Sequence, residues 1–169
     1  MLFRSLVKQA DLIRSTLDGA KQFFVRKVTI GKDDLPRIRQ EIDFSPEDPD
    51  VRFYLGRTED GNLKGVVFFP QVNTMHGPIE VGLTMKPDGT VASAVVTKAT
   101  VETKPWVEEA VAAGLLKRFQ GMRYGGDVKR ALEQLSPGQV GQMPYWEAGV
   151  IAAAVHQGLV LYHVLFHEA

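Results

Sequence analysis

A run of 19 residues without a formal charge, from Ala148 to Phe166, limits the folds open to this chain more than any other feature. A segment of this length and apolarity has to leave water, either in the core of a globular domain or in a membrane. Two histidines, a glutamine and a tyrosine interrupt the run, and no Lys or Arg flanks it as a membrane anchor. We therefore expect a buried core helix over 148–166, with a membrane span as the alternative.

The chain as a whole has the composition of an ordinary globular protein of 169 residues, 44% hydrophobic and 24% charged. Its lack of cysteine excludes disulfides, zinc–thiolate sites, iron–sulfur clusters and thiol nucleophiles. Twenty basic residues balance 20 acidic ones, whereas nucleic-acid-binding proteins have a basic excess, so we expect no nucleic-acid partner. Charges recur throughout residues 1–30, which indicates no signal peptide and predicts a cytoplasmic location; a membrane-peripheral or exported location stays open.

The first 30 residues carry a heptad-like pattern. Their apolar residues are spaced alternately by three and four positions, at Phe3, Leu6, Ala10, Ile13, Leu17, Ala20 and Phe24. This spacing predicts an N-terminal amphipathic helix over 1–30, ahead of a domain over 31–169. Its apolar face can pack on that domain, form a homodimer through residues 3–24, or bind an anionic membrane surface. We favour the first two over membrane association.

Strand-like segments dominate the centre of the chain, at 51–57, 63–70, 78–86 and 90–98. Turn sequences at 59–62 and at Pro87-Asp88-Gly89 join them in pairs, which predicts an antiparallel meander. Helical periodicity returns over 106–119, with an interruption near Gly114, and over 127–135. The sequence therefore predicts an α+β fold, an antiparallel β-sheet packed by helices with an N-terminal amphipathic helix.

The sequence contains no hydrolase motif and no phosphate-binding glycine loop: GxSxG, GxGxxG and GxxxxGK[ST] are all absent. His163 and His167 are four residues apart, with His156 seven before the first of them. This spacing permits a metal or a haem ligand, although a packing or solvated role is more common for such a pair. His76 precedes a predicted strand, where it either reaches a ligand or serves as a turn residue.

The segment from Gln139 to Trp146 is the stronger candidate for a binding site. It is predicted to be a loop that ends at the start of the last helix, where free N–H groups bind phosphate. Met143, Tyr145 and Trp146 offer flat apolar walls that suit a planar ring. A phosphate at one end and a flat ring at the other describe flavin mononucleotide (FMN).

The order of the segments resembles the FMN-binding domain family, which includes the flavin-carrying subunits of sodium-translocating NADH:quinone reductase and of related electron-transfer complexes. The resemblance spans residues 76–160. It rests on HGPIEVGLTMKPDGTVASAVV at 76–96, VETKP at 101–105 and LLKRFQGM at 115–122, followed by a loop and an Ala-rich helix. It implies that residues 31–169 form an FMN-binding-like α+β domain that carries one FMN and passes electrons to a redox partner protein.

In many members of this family, the threonine of an S-G-A-T motif at the start of the last helix is esterified to the FMN phosphate. Counting back from the Ala-rich helix places this motif on residues 142–145, Gln-Met-Pro-Tyr. Tyr145 thus stands at the threonine position, and Met143 and Pro144 stand at the two small ones. We therefore expect FMN to be held non-covalently.

The resemblance also implies which residues lie near the flavin ring. Glu102 and Thr103 match a Glu-Thr loop of the family, and Lys104 either pairs with a phosphate or ring carbonyl or faces solvent. Trp106 replaces a glycine of that loop and either stacks on the ring or fills its pocket. The candidate cofactor-binding residues are His76, Glu102, Thr103, Lys104, Trp106, Met143, Pro144, Tyr145 and Trp146.

Three functions follow from the sequence, in descending order of support. The first is a non-covalent FMN carrier, acting as a redox carrier or as a component of an oxidoreductase. The second is a degenerate, flavin-free domain that serves as an interaction or assembly module through its N-terminal helix. The third is a haem- or metal-binding redox protein that uses the tail histidines. The sequence names no catalytic residue for any of them.

Overall fold

The computed structural model describes residues 3–167, and over this range the chain forms one seven-stranded antiparallel sheet with helices on both faces. The strands are β1 (Phe3–Ser5), β2 (Gln22–Thr29), β3 (Asp50–Arg57), β4 (Leu63–Phe68), β5 (Gln71–Thr74), β6 (Gly77–Met85) and β7 (Val91–Thr100). The helices are α1 (Gln9–Thr16), α2 (Asp34–Arg39), α3 (Lys104–Ala112), α4 (Pro137–Val140) and α5 (Gln142–Leu165). Short 3₁₀ helices cover Leu116–Phe119 and Val128–Leu132. The predicted α+β class is confirmed.

The strands are ordered β1-β7-β6-β4-β3-β2, and β5 pairs with β6 on the same side as β4. The inner four, β3, β4, β6 and β7, are the predicted meander. Gly61 and Gly89 adopt positive φ angles of 83° and 85° in the two predicted turns, a conformation that glycine adopts without a steric cost. The alternation of residues and the turn sequences thus predicted the centre of the sheet correctly.

The predicted helix through the heptad-like pattern is wrong. Only Gln9–Thr16 is helical, Gly19 follows it with a φ of 86°, and Gln22–Thr29 forms a strand that pairs with β3. The aromatic and β-branched residues of β2 favour an extended strand, and its pairing with β3 overrides the three-and-four spacing. Residues 3–29 therefore supply both outer strands of the one sheet, and the apolar residues from 3 to 24 do not lie on one continuous helix.

Helix α1 packs against the sheet of its own chain. Leu12 and Leu17 are buried and lie over strand glycines, including Gly65 and Gly82. A Cβ atom on Gly65 would come within 2.9 Å of a Leu17 methyl group, so the missing side chains allow the short helix to sit directly on the strands. This is the intramolecular packing expected for the amphipathic N-terminal segment.

Helix α5 covers the opposite face and is the core helix predicted from the uncharged run. By length and composition alone it is the one helix of the described chain that can cross a membrane, yet 67% of its most apolar stretch is buried within the fold. Close contact is visible at Gly158, where a Cβ atom would lie 2.6 Å from a methyl group of Leu83 on β6. The helix begins at Gln142, so the residues predicted to form a loop up to Trp146 are its first turns.

Candidate functional site

Three segments meet at the end of the sheet nearest the start of α5: the β5–β6 turn, the β7–α3 turn and the first turns of α5 itself. His76 lies in the first of these turns, as the sequence predicted. The hydroxyl of Thr100, at the end of β7, donates to the carbonyl oxygen of His76 at 3.0 Å. The same hydroxyl lies 3.0 Å from that of Thr103, the residue preceding α3, and both threonines are buried. These hydrogen bonds fix the two turns against each other.

The imidazole of His76 is held by three neighbours. Its Nδ1 atom lies 3.1 Å from Oε1 of Glu102. The indole rings of Trp106 and Trp146 contact it edge to face, with ring centroids 5.3 and 5.2 Å away and interplanar angles of 85° and 83°. Such perpendicular contacts are a preferred aromatic geometry. The structure thus brings together His76, Glu102, Trp106 and Trp146, four of the residues that the sequence predicted, with Thr103 directly behind them.

Glu147 adds a buried carboxyl group that sequence reasoning missed. Its side chain is completely shielded from solvent, and neither carboxyl oxygen has a hydrogen-bond partner within residues 3–167. Burial raises the pKa of Glu147 from 4.5 to about 7, against the opposing effect of the charge on nearby His76. A carboxyl group with this pKa exchanges its proton near neutrality. When protonated, it can donate one hydrogen bond and accept others.

The edge of this cluster is open to solvent. Trp146 is 37% exposed, and the side chain of Glu102 is 58% exposed while that of His76 is 26% exposed. A solute can therefore reach the indole of Trp146 and the His76–Glu102 pair. Glu147 is the next residue after Trp146 in α5 and is near enough to His76 for its charge to affect the pKa of Glu147. Flat apolar surfaces beside a buried hydrogen-bonding group suit a planar heteroaromatic ligand with polar atoms along one edge.

The other predicted residues make no hydrogen bond or ring contact with His76 within the described chain. Lys104 faces away from the cluster and pairs with Glu108 at 3.4 Å, on the rim of a 640 Å³ apolar groove between β7 and α3. Met143, Pro144 and Tyr145 belong to the first turns of α5, where Pro144 is buried and Tyr145 packs partly against the core. Tyr145 donates its N–H to the carbonyl oxygen of Gly141, so its backbone is already engaged in the helix.

The tail histidines do not form a ligand set. Helix α5 ends at Leu165, so His167 is outside it, and the predicted helical spacing from His163 to His167 is wrong. The imidazole of His163 stacks on Tyr124 with a centroid distance of 3.7 Å, and the carbonyl oxygen of His167 accepts a hydrogen bond from Arg26. In the part of the chain that the structure describes, no three His, Asp or Glu residues converge as a metal site.

No protein-family model, curated protein or solved structure matches this chain. Two features of the chain point to a function: the order of the sequence segments and the geometry of the His76 cluster. Both concern the same end of the sheet.

Proposed function

We propose that this protein is an electron-transfer protein that binds FMN non-covalently at the His76 cluster. The observation that supports this most is the buried carboxyl group of Glu147, which follows Trp146 in α5 and has no hydrogen-bond partner in the described chain. An unpaired buried polar group costs stability, and such groups are concentrated at sites that bind a ligand or carry out chemistry. The ring of a flavin offers both hydrogen-bond donors and acceptors to such a group.

The residues present fit the flavin ring. Trp146 is exposed enough for a planar ring to stack on it. Trp106 contacts the same His76 imidazole as Trp146 does. Glu147 can donate a hydrogen bond to a ring nitrogen or carbonyl when it is protonated. His76, when protonated, provides a positive charge that offsets electron density gained by a ligand, and Glu102 orients its imidazole.

The start of α5 fits the phosphate group. The preceding Gly141 has a φ of 94°, and no side chain of the described residues caps the helix. The N–H groups of Gln142 and Met143 are therefore available to an anion, which the helix dipole also favours, whereas Pro144 has no N–H. Tyr145 stands where the resembled family has its phosphate-linked threonine, and a phenol within a helical turn is no equivalent of that hydroxyl. Non-covalent binding follows from this difference.

FMN, when bound, supplies one- and two-electron redox chemistry, and the protein determines its potential and its access. Glu147 holds or releases a proton near neutrality, so it can balance the charge of an electron arriving at the site. The exposed side of Trp146 leaves room for a redox partner protein to approach. The two other functions considered from the sequence gain no such support, because α1 is packed on its own sheet and the tail histidines lie apart.

The test is the visible absorption spectrum of the purified protein, followed by titration of apo-protein with FMN. We expect the two bands of oxidised flavin, and their release into the supernatant on acid precipitation, because no covalent bond holds the ligand. A protein that stays colourless and shows no quenching of FMN or tryptophan fluorescence with excess FMN would contradict the proposal.

Three variants locate the site. Trp146→Ala removes a stacking surface and should weaken FMN binding by about tenfold, a loss of roughly 1.4 kcal/mol. Glu147→Leu removes a hydrogen bond and should weaken binding about fivefold, whereas Glu147→Gln retains a donor and an acceptor and should bind almost normally. Lys104→Ala, which changes the groove on the other side of α3, is the matched control and should bind as the wild type does. Equal effects of all four substitutions would contradict binding at the His76 cluster.

A further inference from the structure

The strand β2 forms an exposed apolar edge of the sheet. Phe23, Phe24 and Val25 are 52%, 48% and 60% exposed, and no strand among residues 3–167 pairs with the outer side of β2. Proteins usually protect such an edge with proline, charge or a covering segment, because it offers free backbone groups to another strand. The two cations of this strand, Arg26 and Lys27, do not shield the edge, because each contacts a residue of its own chain. Arg26 lies over Phe166 with its guanidinium 5.2 Å from the ring centroid, and Lys27 lies 3.8 Å from Asp50.

The backbone of β2 is arranged to accept a further antiparallel strand. The N–H of Ile30 donates to Pro49, in register with the β2–β3 ladder, so the even-numbered residues of β2 form the hydrogen-bonded pairs with β3. The odd-numbered residues Phe23, Val25 and Lys27 consequently direct their N–H and C=O groups outward.

We propose that β2 pairs antiparallel with β2 of a second copy of this chain, with Val25 opposite Val25, so that two sheets join across a two-fold axis. The side chains match in this register. Phe24 lies opposite Arg26 and Phe23 lies opposite Lys27, so each aromatic ring faces a cation of the partner subunit. On the α5 face, Arg26 then lies between its own Phe166 and Phe24 of the partner subunit.

The charges distinguish this register from the neighbouring one that uses the same outward groups. If Phe24 were opposite Phe24, Lys21 would lie opposite Lys27, and like charges in directly opposed positions are destabilising. With Val25 at the axis, Lys21 lies opposite Thr29 and no two cations are paired. The strand is therefore complementary to itself in one register. This surface lies apart from the His76 cluster and does not depend on FMN.

The lack of cysteine in the chain permits a direct test of the register. Opposed residues of a hydrogen-bonded antiparallel pair have Cα atoms about 5.5 Å apart, within the range of a disulfide. Val25→Cys should therefore form a disulfide-linked dimer rapidly under mild oxidation. Val101→Cys, at an exposed valine in the β7–α3 turn (47% exposed), is the matched control and should remain largely monomeric. Faster cross-linking of Phe24→Cys than of Val25→Cys would contradict the register.

The dimer itself is tested by light scattering on the wild-type protein and on Val25→Lys. We expect the wild type to have twice the mass of the 18.7 kDa chain, and the variant, which places two cations at the axis, to have the mass of a single chain. Val25 is outside the core, so the variant should keep the wild-type circular dichroism spectrum and Tm at low protein concentration. A wild type that stays monomeric, including the case in which β2 binds a different protein, would overturn the proposal.

Discussion

The two ends of α5 differ in whether their buried side chains find suitable partners: packing partners at one end, hydrogen-bond partners at the other. At the C-terminal end, Tyr162 and Phe166 stack on each other at 4.9 Å, and the rings of Phe53 and Phe68 pack against them from the sheet. At the N-terminal end, Glu147 is just as deeply buried but has no hydrogen-bond partner in the described chain. One helix thus combines an end packed for stability with an end that retains a destabilising group.

This difference indicates where selection for function acts along the helix. The aromatic end needs nothing beyond its own neighbours, because rings in offset and edge contact satisfy one another. The N-terminal end holds the unpaired carboxyl group of Glu147, which loses its hydration on burial and gains no hydrogen bond from the described residues in return. Substitutions at the two ends should therefore affect different measurements.

The largest effect is expected at the aromatic end. Phe53→Ala should lower the free energy of unfolding by about 3–5 kcal/mol, because it opens a cavity beneath Phe68 and Phe166 that the surrounding strands cannot fill. Urea denaturation measures this loss. Phe24→Ala, the same truncation at an exposed site, is the control and should change the stability of the monomer little. The FMN affinity of the folded Phe53→Ala protein should stay normal. A loss of affinity would contradict the view that the C-terminal end of α5 affects stability alone.

The next effect concerns the pH dependence of stability. The pKa of Glu147 is raised from 4.5 to about 7, so the folded protein binds more protons than the unfolded chain between these values. This proton binding contributes about 3 kcal/mol to the free energy of unfolding. The contribution is fully present below pH 4.5 and is lost as the pH rises through 7. Glu147→Gln removes this loss and should be about 3 kcal/mol more stable than the wild type at pH 8, with the difference vanishing towards pH 4.5.

The measurement for Glu147→Gln is a urea denaturation series from pH 4.5 to pH 8. Glu109→Gln, on the exposed side of α3, is the matched control and should follow the wild type throughout. If both variants follow the wild type, the carboxyl group of Glu147 has a partner in solution. The comparison between the two ends of α5 would then fail.

The smallest effect is expected for Glu102→Gln. The His76–Glu102 pair is partly solvated, so its loss should cost less than about 1 kcal/mol of stability. Glu108→Gln breaks a similarly exposed pair with Lys104 and serves as the control. FMN affinity should fall for Glu102→Gln alone, because only this glutamate orients His76. An equal FMN affinity in the two variants would show that the orientation of His76 is unimportant for binding.

The fold was predictable from the sequence in those segments where the hydrophobic pattern along the chain and the pairing of strands in the sheet favour the same secondary structure. The inner strands follow from alternating residues and from the turns at Gly61 and Gly89, and α5 follows from its uncharged run. The pattern over residues 3–24 misled because three-and-four spacing does not exclude a chain that turns at Gly19 and continues as a strand. The pairing of Gln22–Thr29 with β3, which decides the structure there, is not encoded in any local window.

The site was predictable to the extent that segment order fixes which turns come together. The resemblance indicated Glu102, Thr103 and Trp106, the loop before a predicted strand indicated His76, and the aromatic segment before the last helix indicated Trp146; the structure brings these five residues close together. Glu147 was missed because an acidic residue at the start of a helix normally indicates a solvated charge. Its burial depends on the tertiary packing around α5, which leaves no trace in the local sequence. The one available signal was its place beside Trp146, immediately before the uncharged run.

The origin of the two outer strands has a consequence for biosynthesis. Residues 3–29 leave the ribosome before the strands that they pair with, because β1 pairs with β7, which ends at Thr100, and β2 pairs with β3, which begins at Asp50. Strand β2 therefore stays unpaired until β3 has been translated, and β1 stays unpaired until β7 has been translated. During that interval, the apolar Phe23–Val25 stretch has no strand beside it on either side, a condition in which nascent chains aggregate or recruit chaperones. Slower translation between β2 and β3 should lengthen this exposure, and the yield of folded protein should respond to it.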